Sequence, residues 1–207
     1  MNLPRHINSK YISISFIKGN LLAIYDELGG IISNTLNKNW KSNQYPLTEI
    51  VNINSFVSAS HFEVIQCLMW QPKAIDSDLV VFINNMPDGW PTLLNYYLKH
   101  YDNREIINVR LSDKSIEYSV NEFVFINKSI RRIVHSIKDF DKWIFYQEGP
   151  LLSFENEMNY KRKKISDRLN DVIVQEYLKE NNINISKPDF WISKGMAIEF
   201  STKLKGR

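Results

Sequence analysis

The stretch from Asp78 to Tyr101 constrains the fold of this chain more than any other. It opens with an unbroken apolar run, Leu79-Val80-Val81-Phe82-Ile83, which reads as a buried strand. Asn84 to Gly89 follows as a cluster of turn formers. Trp90-Pro91 then starts an amphipathic segment, with Pro91 suited to the first turn of a helix. A buried strand leading sharply into a helix implies a central sheet with helices packed on it.

The rest of the chain supplies further strands. Tyr11 to Ile17 alternates with period two, Ile50 to Phe56 and His61 to Trp70 are strand-like, and Arg104 to Leu111 adds another. Glu117 to Ile126 mixes alternation with a buried run, and Arg131–Ile137 and Lys142–Glu148 form a hairpin across Lys138–Asp141. Leu21 to Leu36 has helical spacing, but Gly29-Gly30 costs roughly 1 kcal/mol per glycine, which predicts a break there or a start after it. Asn37 to Tyr45 reads as a polar loop. Glu155 to Asn181 is helical, with Ser166-Asp167 as a point of interruption, and Phe190 to Phe200 holds one or two short strands. The expected fold is α+β: a single domain over residues 1–207 with one mixed or largely antiparallel sheet and flanking helices. Residues 1–75 are the part that could form an N-terminal subdomain.

At 207 residues with 43% hydrophobic side chains, the chain can bury one sizeable core. Its net charge of +3, split as −1 over residues 1–103 and +4 over 104–207, is too mild to imply nucleic-acid binding. The one cysteine, Cys67, sits in an apolar run and reads as a core hydrophobe, so no disulfide is expected within the chain. Met1 to His6 lacks the apolar core of a signal peptide, and no apolar stretch approaches the length that spans a membrane. These features lead to the expectation of a cytoplasmic protein.

Catalytic signatures are lacking. There is no glycine-rich phosphate loop, no His-Glu-x-x-His and no Gly-x-Ser-x-Gly. His6, His61, His100 and His135 stand far apart, so neither metal nor cofactor is expected. Asp76, Asp78 and Asp88 bracket the central strand, and Asp88 has a simple role available as the cap of the helix beginning near Trp90. Glu148 and Glu155 flank Gly149-Pro150 without a visible nucleophile, which favours a structural role. Lys161-Arg162-Lys163-Lys164 reads as charge on a solvated helix. Trp40, Trp70, Trp90, Trp143 and Trp191 fall at element edges, where an indole can bury its ring and still satisfy its N–H.

Several short motifs carry a resemblance. They are Asp88-Gly89-Trp90 after a strand, Arg132-Ile133-Val134, Lys142 through Gly149, Phe154-Glu155, and Tyr160 through Leu169. Together, over roughly residues 78–180, they resemble immunity proteins of bacterial polymorphic toxin systems, contact-dependent growth inhibition systems being the nearest case. The resemblance implies a non-enzymatic partner for a cognate toxin C-terminal domain, binding it in the cytoplasm and covering its active site. Asp76, Asp78 and Asp88 would then supply an acidic toxin-binding patch, with Trp90 as an apolar anchor. The alternative is a small enzyme or accessory protein acting on nucleotides or nucleic acid. The enzyme needs Asp78, Asp88 or Glu148 to converge with Arg131, Arg132 or His135; the accessory protein would use Lys161 to Arg168. Nothing in the sequence sets an oligomeric state.

Overall fold

The computed structural model describes residues 11–34, 40–49, 64–75, 78–86, 88–113 and 115–203. In chain order the elements are β1 (Tyr11–Lys18), α1 (Leu21–Asn34), β2 (Trp40–Pro46), β3 (Val64–Pro72), β4 (Leu79–Asn84), α2 (Pro91–His100), β5 (Ile106–Ser112), β6 (Val120–Ile126), β7 (Arg131–Asp139), β8 (Lys142–Glu148), α3 (Glu157–Tyr160), α4 (Asp171–Glu180) and β9 (Ser193–Lys203). The nine strands make one sheet in the order β2-β9-β3-β4-β1-β5-β6-β7-β8. Every pairing is antiparallel. The α+β architecture with an antiparallel sheet is as the periodicity predicts. All six residues of β4 are buried, as a strand covered on both faces requires.

The described strands of the first 75 residues lie within this sheet. β1 lies between β4 and β5, and β3 lies between β9 and β4. Alternation sends successive side chains to opposite faces. The first face buries Ile14, Phe16, Val81, Val109, Phe123 and Val134 against Ile173, Val174 and Tyr177 of α4 and against Phe190 and Trp191. Two indoles buried there satisfy their N–H groups on backbone carbonyls: Trp70 donates to Phe190 (3.0 Å) and Trp191 to Ile185 (2.8 Å). The second face buries Ile17, Met69, Val80, Phe82 and Phe200 against α1 and α2.

Three expectations change. α1 runs unbroken through Gly29-Gly30, started by Asn20, whose side chain accepts from the N–H of Leu22 (2.9 Å) and Ala23 (3.3 Å). Gly29 serves a contact: a Cβ there would lie 2.0 Å from the Trp40 ring, so the missing side chain is what lets the indole lie on the helix. Trp40 itself belongs to β2, not to a loop. β2 is an edge strand whose central residues are exposed, so it carries no apolar alternation, and its partner β9 lies far away in sequence. Finally, Glu155–Asn181 is mostly irregular. Lys161–Lys164 lies in an exposed bend between α3 and a 3-10 turn at Ile165–Asp167, and only α4 is a full helix. Asn170 caps it, accepting from the N–H groups of Val172 and Ile173 at 3.0 Å. The strand expected at Ile50–Phe56 lies outside the described residues. Among the described residues no helix is long and apolar enough to cross a membrane.

Candidate functional site

The second face of the sheet is only half covered. Its core under α1 and α2 reaches Ile106 of β5 and includes no residue of β6, β7 or β8. Over those three strands the second-face side chains include Val124, Ile126, Ile133 and His135, half-buried, and Ile144 and Tyr146, 49% and 45% exposed. A cleft of about 300 Å³ opens where α2 borders this bare half-sheet. Its walls are Leu94 and Leu98 of α2, its floor is Ile106, Val124, Ile126 and Ile133, and its polar edge is Asp88, Arg110, Glu122, Arg131, His135 and Tyr146.

Strand register builds the polar edge. Ser13, Arg110, Glu122, His135 and Tyr146 stand directly opposite one another across β1, β5, β6, β7 and β8, forming one transverse row. The next row is Ser15, Asn108, Val124, Ile133 and Glu148. Arg110 holds Glu122 in a two-point grip, Nε to Oε1 at 2.7 Å and Nη2 to Oε2 at 2.6 Å. The Nδ1 of His135 is buried without a hydrogen-bond partner, 3.5 Å from Glu122 Oε2, and its ring stacks on Tyr146 at 5.2 Å. At that distance the pair acts as an electrostatic contact when the imidazole is charged rather than as a formed hydrogen bond. Tyr146 donates to Glu148 at 2.7 Å, and Glu148 stands 3.8 Å from Arg131.

Burial opposes the charge of Glu122, but the neighbouring His135 and Arg110 side chains outweigh burial and hold its pKa below the ordinary 4.5. The Tyr11 hydroxyl, beside Arg110, is pushed up to about 12, chiefly by burial. A carboxyl with a lowered folded-state pKa contributes stability that is present above its unfolded value. That contribution is lost as the pH falls through the folded-state value. Urea midpoints of the wild type should therefore fall on acidification from about pH 5 toward pH 3. Glu122→Gln should start lower, with the half-buried Arg110 left without its counter-ion, and fall less over that window. Parallel midpoint–pH curves for the two proteins would contradict this role for Glu122.

A second polar cluster lies on the first face and is closed to solvent. Arg132 and Glu155 have side chains 2% and 0% exposed. Arg132 donates to Glu155 through Nε (2.9 and 3.1 Å) and Nη2 (2.7 Å), and to the carbonyls of Gly149 (3.0 Å) and Glu148 (3.3 Å). Glu155 also accepts from the Leu152 N–H (3.0 Å) and from the Tyr160 hydroxyl, which meets that of Tyr177 at 2.8 Å. Gly149, at φ 83°, closes the turn; a Cβ there would lie 1.9 Å from the Arg131 carbonyl. With every donor and acceptor engaged and no solvent access, this cluster holds the chain together and offers nothing to a ligand.

The structure disperses the residues singled out from the sequence. Asp76 lies outside the described residues. Asp78 and Asp88 are exposed at opposite ends of β4, a six-residue strand roughly 20 Å long, so they form no common patch. Trp90 is 8% exposed and packs in the core beneath α2, so it is no surface anchor. It takes the N-cap position in left-handed backbone (φ 59°) without a side-chain cap, and Pro91 follows in the first turn. Asp88 accepts from the Trp90 N–H at 2.9 Å, setting the turn before the helix rather than capping it, and also lines the cleft. Glu148 and Glu155 face opposite sides of the sheet. None of the five tryptophans is exposed, and Cys67 is fully buried.

No family model, curated protein or solved structure matches this chain. The site rests on geometry. Arg110, Glu122 and Tyr146 were not singled out from the sequence. The available signal was a charge inside an apolar strand: Arg110 within Asn-Val-Arg-Leu, half-buried, and Glu122 within Asn-Glu-Phe, buried. Such charges persist in strands when a cross-strand partner pairs them.

Proposed function

We propose that this chain is an immunity protein of a bacterial polymorphic toxin system, binding the C-terminal domain of its cognate toxin in the cytoplasm and blocking it without catalysis. One observation carries the reading: half of a sheet face is left bare, with an apolar floor and a rim of both charge signs. That is the anatomy of a protein interface, an apolar centre ringed by polar groups. Glu122, neutralised by two bonds from Arg110, is poorly placed to serve as a general base, which favours binding over chemistry. The interface is therefore assigned to the face of β6–β8 beside α2, with Asp88 at its margin, in place of the Asp76, Asp78, Asp88 and Trp90 patch. Mixed rim charges would steer and orient a partner of mixed surface charge rather than a strongly basic one.

The reading expects the gene of a large secreted toxin directly upstream, and co-expression of the chain with that toxin's C-terminal domain tests it. The two should co-purify as a stable complex and protect the host cell. A toxin that stays lethal, with no complex recovered, would remove it. The enzyme reading has one observation in its favour, since Asp88, Arg131 and His135 share a cleft. Turnover of nucleoside phosphates by the wild type, lost in His135→Ala, would select it instead.

A further inference from the structure

β8 ends the sheet, and among the described residues its only strand partner is β7. Natural edge strands are blunted by proline, bulges, central charges or a covering element. β8 lacks the first three: its seven residues pair with β7 in unbroken register, it holds no proline, and its charges, Lys142 and Glu148, stand only at its ends. Of the nine exposed large hydrophobic side chains among the described residues, six fall between Tyr118 and Met158, including Ile144 and Tyr146 on β8 itself.

The hairpin sets which backbone groups face outward. β7 and β8 are joined by a two-residue turn, Phe140-Asp141, with Asp139 opposite Lys142. In such hairpins the closing pair is hydrogen-bonded, and bonded and non-bonded pairs alternate from there. Trp143, Phe145 and Gln147 therefore turn their N–H and C=O groups away from β7, toward the free edge.

We propose that β8 is a self-association edge at which two copies of this chain pair antiparallel about a two-fold axis at Phe145, joining their sheets into one. An axis there places outward-facing residues opposite each other: Phe145 meets its own copy, and Trp143 meets Gln147. It also brings Lys142 opposite Glu148 and Ile144 opposite Tyr146, each twice by symmetry. The strand is thus self-complementary in charge, in apolar contact and in backbone bonding at one register. An axis at Ile144 or Tyr146 also opposes outward-facing residues, but it sets Lys142 opposite Tyr146 or Glu148 opposite Ile144 and loses the charge match. The two bare second faces would adjoin across the new pairing and make one broad surface.

Light scattering on the chain alone, without any toxin, tests this independently of the proposed function. The wild type should show twice the 24.4 kDa chain mass. Ile144→Lys, at an exposed position, should keep the wild-type circular dichroism and melting curve. It should raise the dimer dissociation constant by roughly tenfold or more, because two cross-strand pairs are lost together. Register is read by cross-linking. Ile144→Cys mixed with Tyr146→Cys should form disulfide-linked pairs faster than either alone, since opposed non-bonded positions bring Cα atoms to about 4.5 Å. The buried Cys67 does not compete. A monomeric wild type, a dimer indifferent to Ile144→Lys, or cross-linking no faster in the mixture overturns the proposal.

Discussion

Replacing Glu155 by alanine is expected to cost about 3–5 kcal/mol of folding stability, a large part of what a domain of this kind possesses. The carboxylate is fully buried and is met by three bonds from Arg132, by the Leu152 N–H and by the Tyr160 hydroxyl. Removing it leaves a guanidinium 2% exposed with no counter-ion and frees the segment that closes over β7 and β8. Urea denaturation followed by tryptophan fluorescence checks the effect. A loss below about 1 kcal/mol would mean that water reaches Arg132 and that the cluster is not closed. Replacing both charges together, as Arg132→Met with Glu155→Leu, should recover much of the loss, because an apolar pair has no unmet charge. The work of Arg132, Gly149, Glu155 and Tyr160 in this structure is architectural.

Under the proposed function, Ile133→Arg is expected to weaken binding of the toxin domain by roughly 100-fold, about 3 kcal/mol, while leaving the fold intact. Ile133 forms part of the cleft floor and is half-buried, with Val124 and Glu148 as its neighbours in register on either side. A guanidinium there fills the apolar centre on which a partner would seat. It can also turn toward Glu148 and reach solvent, so the free protein tolerates it. Calorimetric titration with the toxin domain, beside a melting curve of the free variant, separates lost binding from lost folding. Unchanged affinity with an unchanged melting curve would place the interface elsewhere. Because Ile133 is not on β8, the result does not depend on self-association.

Much of the architecture could be read from residue patterns. The buried run of β4, the alternation of β1 and the hairpin of β7 and β8 are local signals, and local signals are what sequence periodicity reports. Where neighbours far along the chain decide, the patterns mislead. β2 reads as a loop because its exposed side chains carry no alternation, and only β9, some 150 residues on, makes it a strand. α1 passes through Gly29-Gly30, and Gly29 leaves free the space that the Trp40 ring occupies. Asp78 and Asp88 look like neighbours flanking one strand, yet the length of β4 keeps them apart.

The stretch from Asp78 to Tyr101 shows the same division. Its composition alone determined a buried strand, a turn and a helix opened by Pro91, since each depends on residues within a few positions. Alternation likewise determined which residues of β6, β7 and β8 share a face. Only the tertiary structure decided that α1 and α2 leave part of that face bare, and that Arg110, Glu122, His135 and Tyr146 stand in one row. Side-chain period is a property of one strand, whereas register is a relation between strands. It is set by turns and by packing summed over the whole sheet, and no single segment contains it.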